Sequence, residues 1–277
     1  MPRIESLNIL LDGSQAGKDY LAELYGKVIE NVNKQLISSR FKNMDLSGNP
    51  EAGSVEAKRF VNASSKAYGT ARAAAKGDAI TAKPVTIPIN VDKEIVEELE
   101  DKDVALYGVE GVMSRRANNH IQAMATELDK AFFAVIPTDG TELTLTGTTI
   151  QDKIEEAIQA CETTQNNFVD GVPRSMINVV CTTAIYGQIR TYLDSTAVSN
   201  VDTAAEEFHT FHGVKVFSTI HLPAGVDFAV IVDGAIAQPV RSNQYTAEKV
   251  PLSNATAIEL FYSYGTKTVM PDLLFYV

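Results

Sequence analysis

Tryptophan is absent from the 277-residue chain, cysteine occurs only twice, and no apolar run reaches 18 residues. A transmembrane helix needs about 20 consecutive apolar residues, so the sequence predicts none. Cys161 and Cys181 lie in apolar stretches with helical and strand character, where buried thiols are expected in place of a disulfide or a metal pair. The first residues lack the charged-then-apolar pattern of a secretory signal, so we expect synthesis and folding in the cytoplasm.

Positive charge is also scarce. Lys and Arg number 24 against 35 Asp and Glu, which gives a net charge of -11. Such a chain repels nucleic-acid phosphates unless its basic residues are clustered, which argues against a general nucleic-acid coat. Hydrophobic residues make up 45% of the chain, enough for a real core in one large domain or two.

The longest regular pattern runs from residue 109 to residue 136. Apolar residues recur there in steps of three or four, at Val109, Met113, Ala117, Ile121, Met124, Leu128, Phe132 and Val135. This spacing predicts an amphipathic helix that ends before Pro137. At about 1.5 Å per residue the helix would be roughly 40 Å long. By itself, the pattern also fits a core helix of an ordinary α+β domain.

Shorter patterns predict the other elements. An amphipathic helix over 18–37 needs a surface to pack on, and two further helices are expected over 150–161 and 182–193. Strands are expected at 176–181, 213–217, 228–232, 245–250 and 257–264, and the apolar tail LLFYV should add a last strand. A strand followed by a capped helix predicts a mixed sheet with helices packed on it.

The segment between two further predicted strands, Val55–Val61 and Val85–Val91, is unusual. It is rich in small residues and has almost no large apolar side chains. A compact domain rarely carries so long an insertion without a function for it. We therefore predict a two-armed loop that projects from the body of the protein.

Charge is distributed unevenly around this loop. Residues 58–83 have a net charge of +5, and the basic residues are Lys58, Arg59, Lys66, Arg72, Lys76 and Lys83. Residues 92–103 have a net charge of -5, and the acidic residues are Asp92, Glu94, Glu97, Glu98, Glu100, Asp101 and Asp103. Opposite patches at two places on one chain suit head-to-tail contact between copies, which builds rings or shells. The alternative is that both are solvated faces, since exposed ion pairs contribute only about 0–1 kcal/mol.

No active site is recognisable. The stretch GSQAGKD (Gly13–Asp19) has three residues between its glycines and Asp after Lys, whereas a phosphate loop has four and then Ser or Thr. His209 and His212, with Glu206 and Glu207, lack a third fixed metal ligand nearby. No G-x-S-x-G occurs. The sequence therefore predicts no catalytic, cofactor or metal site, and no enzyme.

Taken together, these segments resemble the major capsid proteins of tailed bacteriophages, whose fold is shared by encapsulin shells. The resemblance covers nearly the whole chain. It lies in the loop KRFVNASSKAYGTARAAAKGDAITAKPVTIPINV, the acidic DKEIVEELEDKD, the helix VEGVMSRRANNHIQAMATELDKAFFAV, and the later segments MINVVCTTAIYGQI, GVKVF, FAVIV and AIELFYSYGTKTVMPDLLFYV.

The resemblance implies an α+β fold with a long spine helix, an extended β-hairpin loop, and an axial domain of mixed sheet flanked by helices. The implied divisions are an N-terminal arm (1–50), the extended loop (51–92), a peripheral domain (93–148 and 236–264) and an axial domain (149–235 and 265–277).

The function implied is a structural one. Copies would form hexamers and pentamers of an icosahedral shell around double-stranded DNA, located in the virion after assembly in the host cytoplasm. The partners implied are the chain itself, a separate scaffolding protein, a portal and cement proteins, with no cofactor. Two alternatives stay open: an encapsulin-like compartment holding protein cargo, and a small soluble enzyme or ligand-binding protein.

Overall fold

The structure is a computed structural model. The residues it describes are 28, 30–74, 76–100, 109–196, 201–202, 207–208, 210–242, 246–253 and 255–277. Contacts between Cα atoms divide the chain into two compact units. The first comprises 1–40, 88–131 and 239–265, and the second comprises 41–87, 132–238 and 266–277.

The first unit contains an antiparallel sheet and most of the long helix. Its elements are β3 (Val91–Leu99), α2 (Val109–Ala134, which continues three residues past the division), β12 (Val240–Ser242), β13 (Thr246–Lys249) and β14 (Thr256–Tyr264). β14 is central, because it pairs with β3 along its whole length on one side and with β12 and β13 on the other. β3 is thus an edge strand among the described residues.

The core of this unit lies between the sheet and two helical segments. Ile121, Met124 and Leu128 of α2 pack against one face of β3 and β14. Residues 30–35 are helical, and Val28, Val32 and Leu36 join the same core. The predicted amphipathic helix therefore has its packing surface, although its part before residue 28 lies outside the described residues.

The strand predicted over 85–91 was expected to be an edge strand or irregular at Pro88, and the structure has a break there. Instead of one strand over 85–91, the structure has β2 (Ala82–Pro88) and a separate β3 that begins at Val91. Proline has no N–H to donate to a ladder, which accounts for the break after Pro88. The acidic segment, expected only to lead into the long helix, thus forms the nine-residue edge strand.

The second unit is built on a six-stranded mixed sheet. Its strand order is β4-β16-β10-β5-β9-β8. The strands are β4 (Thr141–Glu142), β5 (Ile177–Cys181), β8 (Thr210–Phe211), β9 (Val214–Ser218), β10 (Phe228–Val232) and β16 (Leu274–Tyr276). β5 and β9 are parallel, whereas β10 is antiparallel to both β5 and β16. The tail strand was therefore predicted correctly.

Two helices pack on this sheet. α4 (Ile150–Glu162) begins at Thr149, whose hydroxyl accepts from the Asp152 N–H, and α5 (Thr183–Ser195) begins at Thr182. Their apolar faces, including Ile158 and Ile189, share one core with β5 and β10. Cys161 and Cys181 are buried there as free thiols, as predicted. Other short elements include α3 (Ile136–Asp139), β6 (Val201–Asp202), β7 (Glu207–Phe208), β11 (Ile236–Ala237) and β15 (Lys267–Thr268).

A two-stranded hairpin also belongs to the second unit. It consists of β1 (Ser54–Phe60), the connecting residues 61–81 and β2, and is called the hairpin below. The connection contains one short helix, α1 (Thr70–Ala74), which the sequence did not predict. At the base, Val55, Ala57 and Ile87 form a small core with Ala237 and Val269.

Candidate intersubunit contact site

The hairpin is exposed to solvent beyond its base, from residue 60 to residue 84. Every described residue from 60 to 84 is exposed, including Tyr68 at 95% and Ile80 at 88% of their possible accessible surface. A segment that buries no side chain of its own is not held by a local core. This exposure agrees with the loop expected from the sequence.

The hairpin is fixed where the exposed part begins. Both terminal nitrogens of the Arg59 guanidinium donate to the two carboxylate oxygens of Asp272, one of them over 2.6 Å. The same guanidinium lies 4.5 Å from the centre of the Phe168 ring. The Asn62 N–H donates to the Asn167 carbonyl over 2.9 Å. A planar guanidinium that binds two oxygens and stacks on a ring fixes direction as well as position.

The protonation of Asp272 follows from these contacts. Its partial burial acts to raise the pKa, but hydrogen bonds from Arg59 and Asn166 and the charge of Arg59 outweigh that effect. The pKa of Asp272 therefore lies below its usual value, and the carboxylate stays charged at neutral pH. Arg59 makes these contacts within its own chain, and its predicted contact with another copy stays a prediction.

The other basic residues of the hairpin differ in the contacts that their side chains make. Lys66 lies 2.5 Å from Asp78, in a pair whose side chains are 47% and 64% exposed. The Arg72 guanidinium lies 5.9 Å from the centre of the Tyr68 ring. No ion pair joins Lys58, Lys76 or Lys83 to a described residue. Their charges, with that of Arg72, give the exposed hairpin its positive field.

The acidic strand β3 separates its charges by face. Asp92, Glu94, Val96 and Glu98 are exposed, whereas the half-buried Val91, Ile95 and Leu99 pack in the core with α2. Side chains alternate along a strand, so the exposed set shares one face. Of the other predicted acidic contacts, Glu100 is exposed, while Asp101 and Asp103 lie outside the described residues.

Lys93 and Glu97 are each two residues from core residues of β3, so they belong to the face of the strand that packs on α2. Lys93 Nζ lies 2.9 Å from Glu127 of α2, whose carboxylate also accepts from the Tyr264 hydroxyl over 2.8 Å. The hydrogen bond from Lys93 is the main cause of a lowered pKa of Glu127. Glu97 forms an ion pair with Arg116 of α2. Glu97, predicted as an intersubunit contact, therefore has a partner on α2 of the same chain.

A buried histidine completes the inner contacts of Glu97. His120 Nε2 lies 3.0 Å from the Glu97 carboxylate, and the His120 side chain is fully buried. Burial, followed by the nearby charge of Arg116, lowers the pKa of His120 despite that carboxylate. The imidazole is neutral at pH 7. Lys93 and Glu97 thus hold the edge strand on α2 and leave the opposite face to carry the exposed acids.

The exposed face of the sheet extends onto β14. Residues directly opposite in an antiparallel pair point to the same side. The register places Glu259 opposite Val96 and Phe261 opposite Glu94. Both are half-buried. The six residues Asp92, Glu94, Val96, Glu98, Glu259 and Phe261 are called the outer sheet face below.

A charged cluster that the sequence analysis missed lies in the second unit. Arg174 donates to Glu155 over 2.5 Å and to Glu162 over 2.7 Å, and also to the His212 carbonyl over 2.7 Å. His212 Nδ1 lies 2.9 Å from Glu155. The hydrogen bond from Arg174 is the main cause of a lowered pKa of Glu155. The spacing of the two glutamates on one face of α4 was the only available signal.

This cluster has the geometry of a structural clamp. His212 lies in a two-residue turn between β8 and β9 and has a positive φ of 52°. Arg174 joins that turn to α4. The rejected sites gain no support: Gly13–Asp19, Glu206 and His209 lie outside the described residues. Among the residues described, no three His, Cys, Asp or Glu side chains form a group that could hold a metal ion.

None of the described helices is long and apolar enough to cross a membrane.

No protein-family model matches the chain, and no curated protein matches its sequence. Solved structures do match it. One from Mycobacterium phage Che8 is 22% identical, with 83% of this chain and 84% of that chain covered at a TM-score of 0.60.

Two further structures extend the comparison. The capsid structure of the cyanophage P-SCSP1u is 16% identical, with 85% of this chain and 84% of that chain covered at a TM-score of 0.59. A virus-like particle from Pyrococcus furiosus is 11% identical, with 93% and 99% covered at a TM-score of 0.58. The chain therefore has the fold of bacteriophage capsid proteins, which is shared with this virus-like particle. The fold class predicted from the sequence is confirmed.

Proposed function

We propose that the chain is the major capsid protein of a tailed bacteriophage and assembles into hexamers and pentamers of an icosahedral shell. The observation that carries the proposal is a capsid fold with a hairpin that is fixed at its base, while every described residue from 60 to 84 is exposed. A monomer gains nothing from holding such a segment in place. A shell subunit gains a contact with its neighbour.

The mechanism is mechanical. The hairpin of one copy lies over the next copy, and its direction is set by Arg59 and Asp272. Lys58, Arg72, Lys76 and Lys83 of the hairpin face the acidic residues Glu94 and Glu98 of that neighbour. A repeated head-to-tail contact closes into rings when its rotation permits. α2, held to β3 by Lys93 and Glu97, is the stiff element that transmits load between contacts.

The charge of the subunit fits a container for double-stranded DNA. With a net charge of -11, the chain encloses DNA without binding it tightly. Packaging then relies on the other components of a phage head: a portal, a separate scaffolding protein and, in some heads, cement proteins. The shell would form in the host cytoplasm and end in the virion.

One comparison favours a second candidate, an encapsulin-like compartment that holds protein cargo. The Pyrococcus furiosus virus-like particle is covered over 99% of its length, so this chain has counterparts for nearly all of that shell subunit. The two candidates predict the same contacts between copies and differ only in what the shell contains.

Electron microscopy of the expressed protein, alone and with co-encoded scaffold candidates, tests the proposal. Closed particles of uniform size are expected. A monomer or dimer by light scattering across a wide range of salt and protein concentration would reject both shell functions. Nuclease-protected DNA in particles purified from infected or induced cells identifies a phage head, whereas a stoichiometric enzyme inside them identifies a cargo compartment.

A further inference from the structure

Two charged residues on the inner face of β3, Lys93 and Glu97, occupy positions where apolar residues would be expected. The apolar residues on the same face, Val91, Ile95 and Leu99, are only partly buried in the core. The neighbouring strand β14 is buried more deeply, because its inner residues are at most 4% exposed: Ile258, Leu260, Tyr262 and Tyr264. β3 therefore depends on its charged contacts for its attachment to α2. Its second edge is unpaired among the described residues, so opening β3 disrupts a single ladder.

The contact at Glu97 includes a group that titrates near neutral pH. His120 Nε2 lies 3.0 Å from the Glu97 carboxylate, and Arg116, one helical turn before His120 on α2, forms an ion pair with the same carboxylate. With a neutral imidazole, one cation and one anion balance each other. A proton added to His120 leaves an excess positive charge on a fully buried side chain, which costs free energy unless the site opens to water.

The other elements of this core present groups that keep their charge state between pH 7 and pH 5. Lys93 of β3 is bound to Glu127, and the hydrogen bond between them is the main cause of a lowered pKa of Glu127. Burial raises the pKa of Tyr264 and raises the pKa of Tyr262 to about 12, so both phenols stay neutral. The helical segment 30–35 contributes an apolar side chain. The imidazole is therefore the group in this set whose charge changes.

We propose that His120, Glu97 and Arg116 form an acid-sensitive latch, in which protonation of His120 releases the half of β3 around Glu97 from α2. The half around Lys93 stays attached, because its partner Glu127 remains charged between pH 7 and pH 5. The latch lies within one subunit, so it operates whether or not the chain is assembled.

One consequence of the latch rests on the proposed shell function. Glu94 and Glu98 of the outer sheet face lie on the same strand as Glu97. Release of this strand moves the acidic residues that face the hairpin of another copy. Acid should therefore slow particle formation by the parent chain more than by a variant whose latch does not titrate.

Proton linkage fixes the direction and the size of the effect. Burial, followed by the charge of Arg116, lowers the pKa of His120 in the closed state. When β3 opens and the imidazole meets water, the same group binds a proton more readily. The opened fraction should then rise as pH falls below about 6.5, by up to about tenfold per pH unit, until the closed-state value is passed.

Amide hydrogen exchange of the full chain at pH 7, 6 and 5 tests the latch, with protection factors corrected for the intrinsic pH dependence of exchange. Residues 95–99 should lose protection by up to about tenfold per pH unit, whereas residues 91–93 change less and β10 of the second unit does not change. His120→Gln keeps an amide N–H that can donate to Glu97 but does not titrate, and should remove the loss. His221→Gln, at a half-buried histidine of the second unit, is the matched control and should retain it.

The outcomes separate the latch from global unfolding and from the shell function. Protection of residues 95–99 that stays constant in the parent chain, or that falls equally in β10, overturns the latch. Arg116→Gln gives a second test if His120→Gln does not fold: without the neighbouring cation, protonation of His120 costs less, so the loss in acid should shrink. An unchanged loss in Arg116→Gln also overturns the latch. A chain that never forms particles rejects the shell function and leaves these measurements valid.

Discussion

The Asp272 carboxylate binds both terminal nitrogens of the Arg59 guanidinium, at the residue where the hairpin becomes fully exposed. The two side chains are only 27% and 11% exposed. The residue that the charge pattern assigned to a neighbour therefore fixes the hairpin to its own unit. The contact sets the direction in which the following exposed residues leave.

Substitution Arg59→Ala should lower both stability and assembly. It removes a two-point charged hydrogen bond and a ring contact, and leaves Asp272 partly buried without its cation. Loss of about 1–3 kcal/mol of unfolding free energy is expected, measured by urea unfolding of the unassembled subunit. Lys58→Ala, one residue away and exposed, is the control for stability. Equal stability of Arg59→Ala and the parent protein would contradict the conclusion that the contact between Arg59 and Asp272 holds the hairpin in place.

The Arg174 clamp should make stability sensitive to acid. The pKa of Glu155 is lowered in the folded state, so its contribution is present above the ordinary value of about 4.3 and is lost as pH falls through the folded value. The difference in unfolding free energy between the parent and Glu155→Gln should therefore be largest at neutral pH and shrink in acid. Glu142→Gln, at an exposed position, is the control. A difference that stays constant from pH 7 to pH 3 would refute the assignment.

The unfolding free energy should also depend on pH through His120, in a higher pH range than for Glu155. Its pKa is lowered by burial, so the unfolded chain binds a proton more readily than the folded one. Stability should then fall as pH drops below about 6.5, the ordinary histidine value, until the folded value is passed. Urea unfolding of His120→Asn should show a flatter pH profile than the parent between pH 7 and pH 5. An unchanged profile would show that protonation of His120 is not linked to folding.

The packing of α2 predicts a large effect at its buried face. Leu128 is 1% exposed and shares a core with β14 and with Val32 and Leu36. Leu128→Ala should lower the unfolding free energy by about 2–5 kcal/mol, because it removes buried methyl groups and leaves a cavity. Gln122→Ala, on the exposed face of α2, should change it by less than about 0.5 kcal/mol. Similar losses in both variants would contradict the assigned orientation of the helix.

Charge reversal tests the proposed ionic contact between the hairpin of one copy and β3 of the next. Lys76→Glu should reduce the initial rate of particle formation measured by light scattering, and added salt should narrow its difference from the parent, because screening weakens repulsion as well as attraction. Glu94→Lys in the same chain should restore part of the rate. Assembly rates of the parent that do not change at all from low to high salt would count against the ionic contact.

The elements predicted well from sequence are those with a regular apolar period. α2 begins at the predicted residue and ends two before the expected position, and β10 and the tail strand β16 were identified correctly. Their burial pattern is local, so the sequence alone contains it. The exposed hairpin was also recognisable, because it lacks the large apolar residues that a buried segment needs.

The errors have a common physical origin. β3 was not recognised as a strand because charged residues on its inner face, Lys93 and Glu97, replace the apolar residues that alternation would require. They are accommodated by Glu127, Arg116 and His120 of α2, which are distant in sequence. A charge count cannot separate such inward residues from outward ones until the register is known.

The same limit applied to the contact surface. Glu94 and Glu97 looked equivalent in the sequence, whereas the structure places one outward and the other against α2. Phe261 could not be connected with Val96 before the pairing of β14 with β3 was seen. The compact units divide at residues 131/132, within the long helix, and the division into a peripheral and an axial domain stays a prediction.

Electron cryomicroscopy of the assembled particle tests the central claim most directly. The account predicts that residues 60–84 of each copy lie over an adjacent copy, with Lys76 and Lys83 facing Glu94 and Glu98 of its β3. A closed particle in which this segment touches only its own copy would contradict the claim.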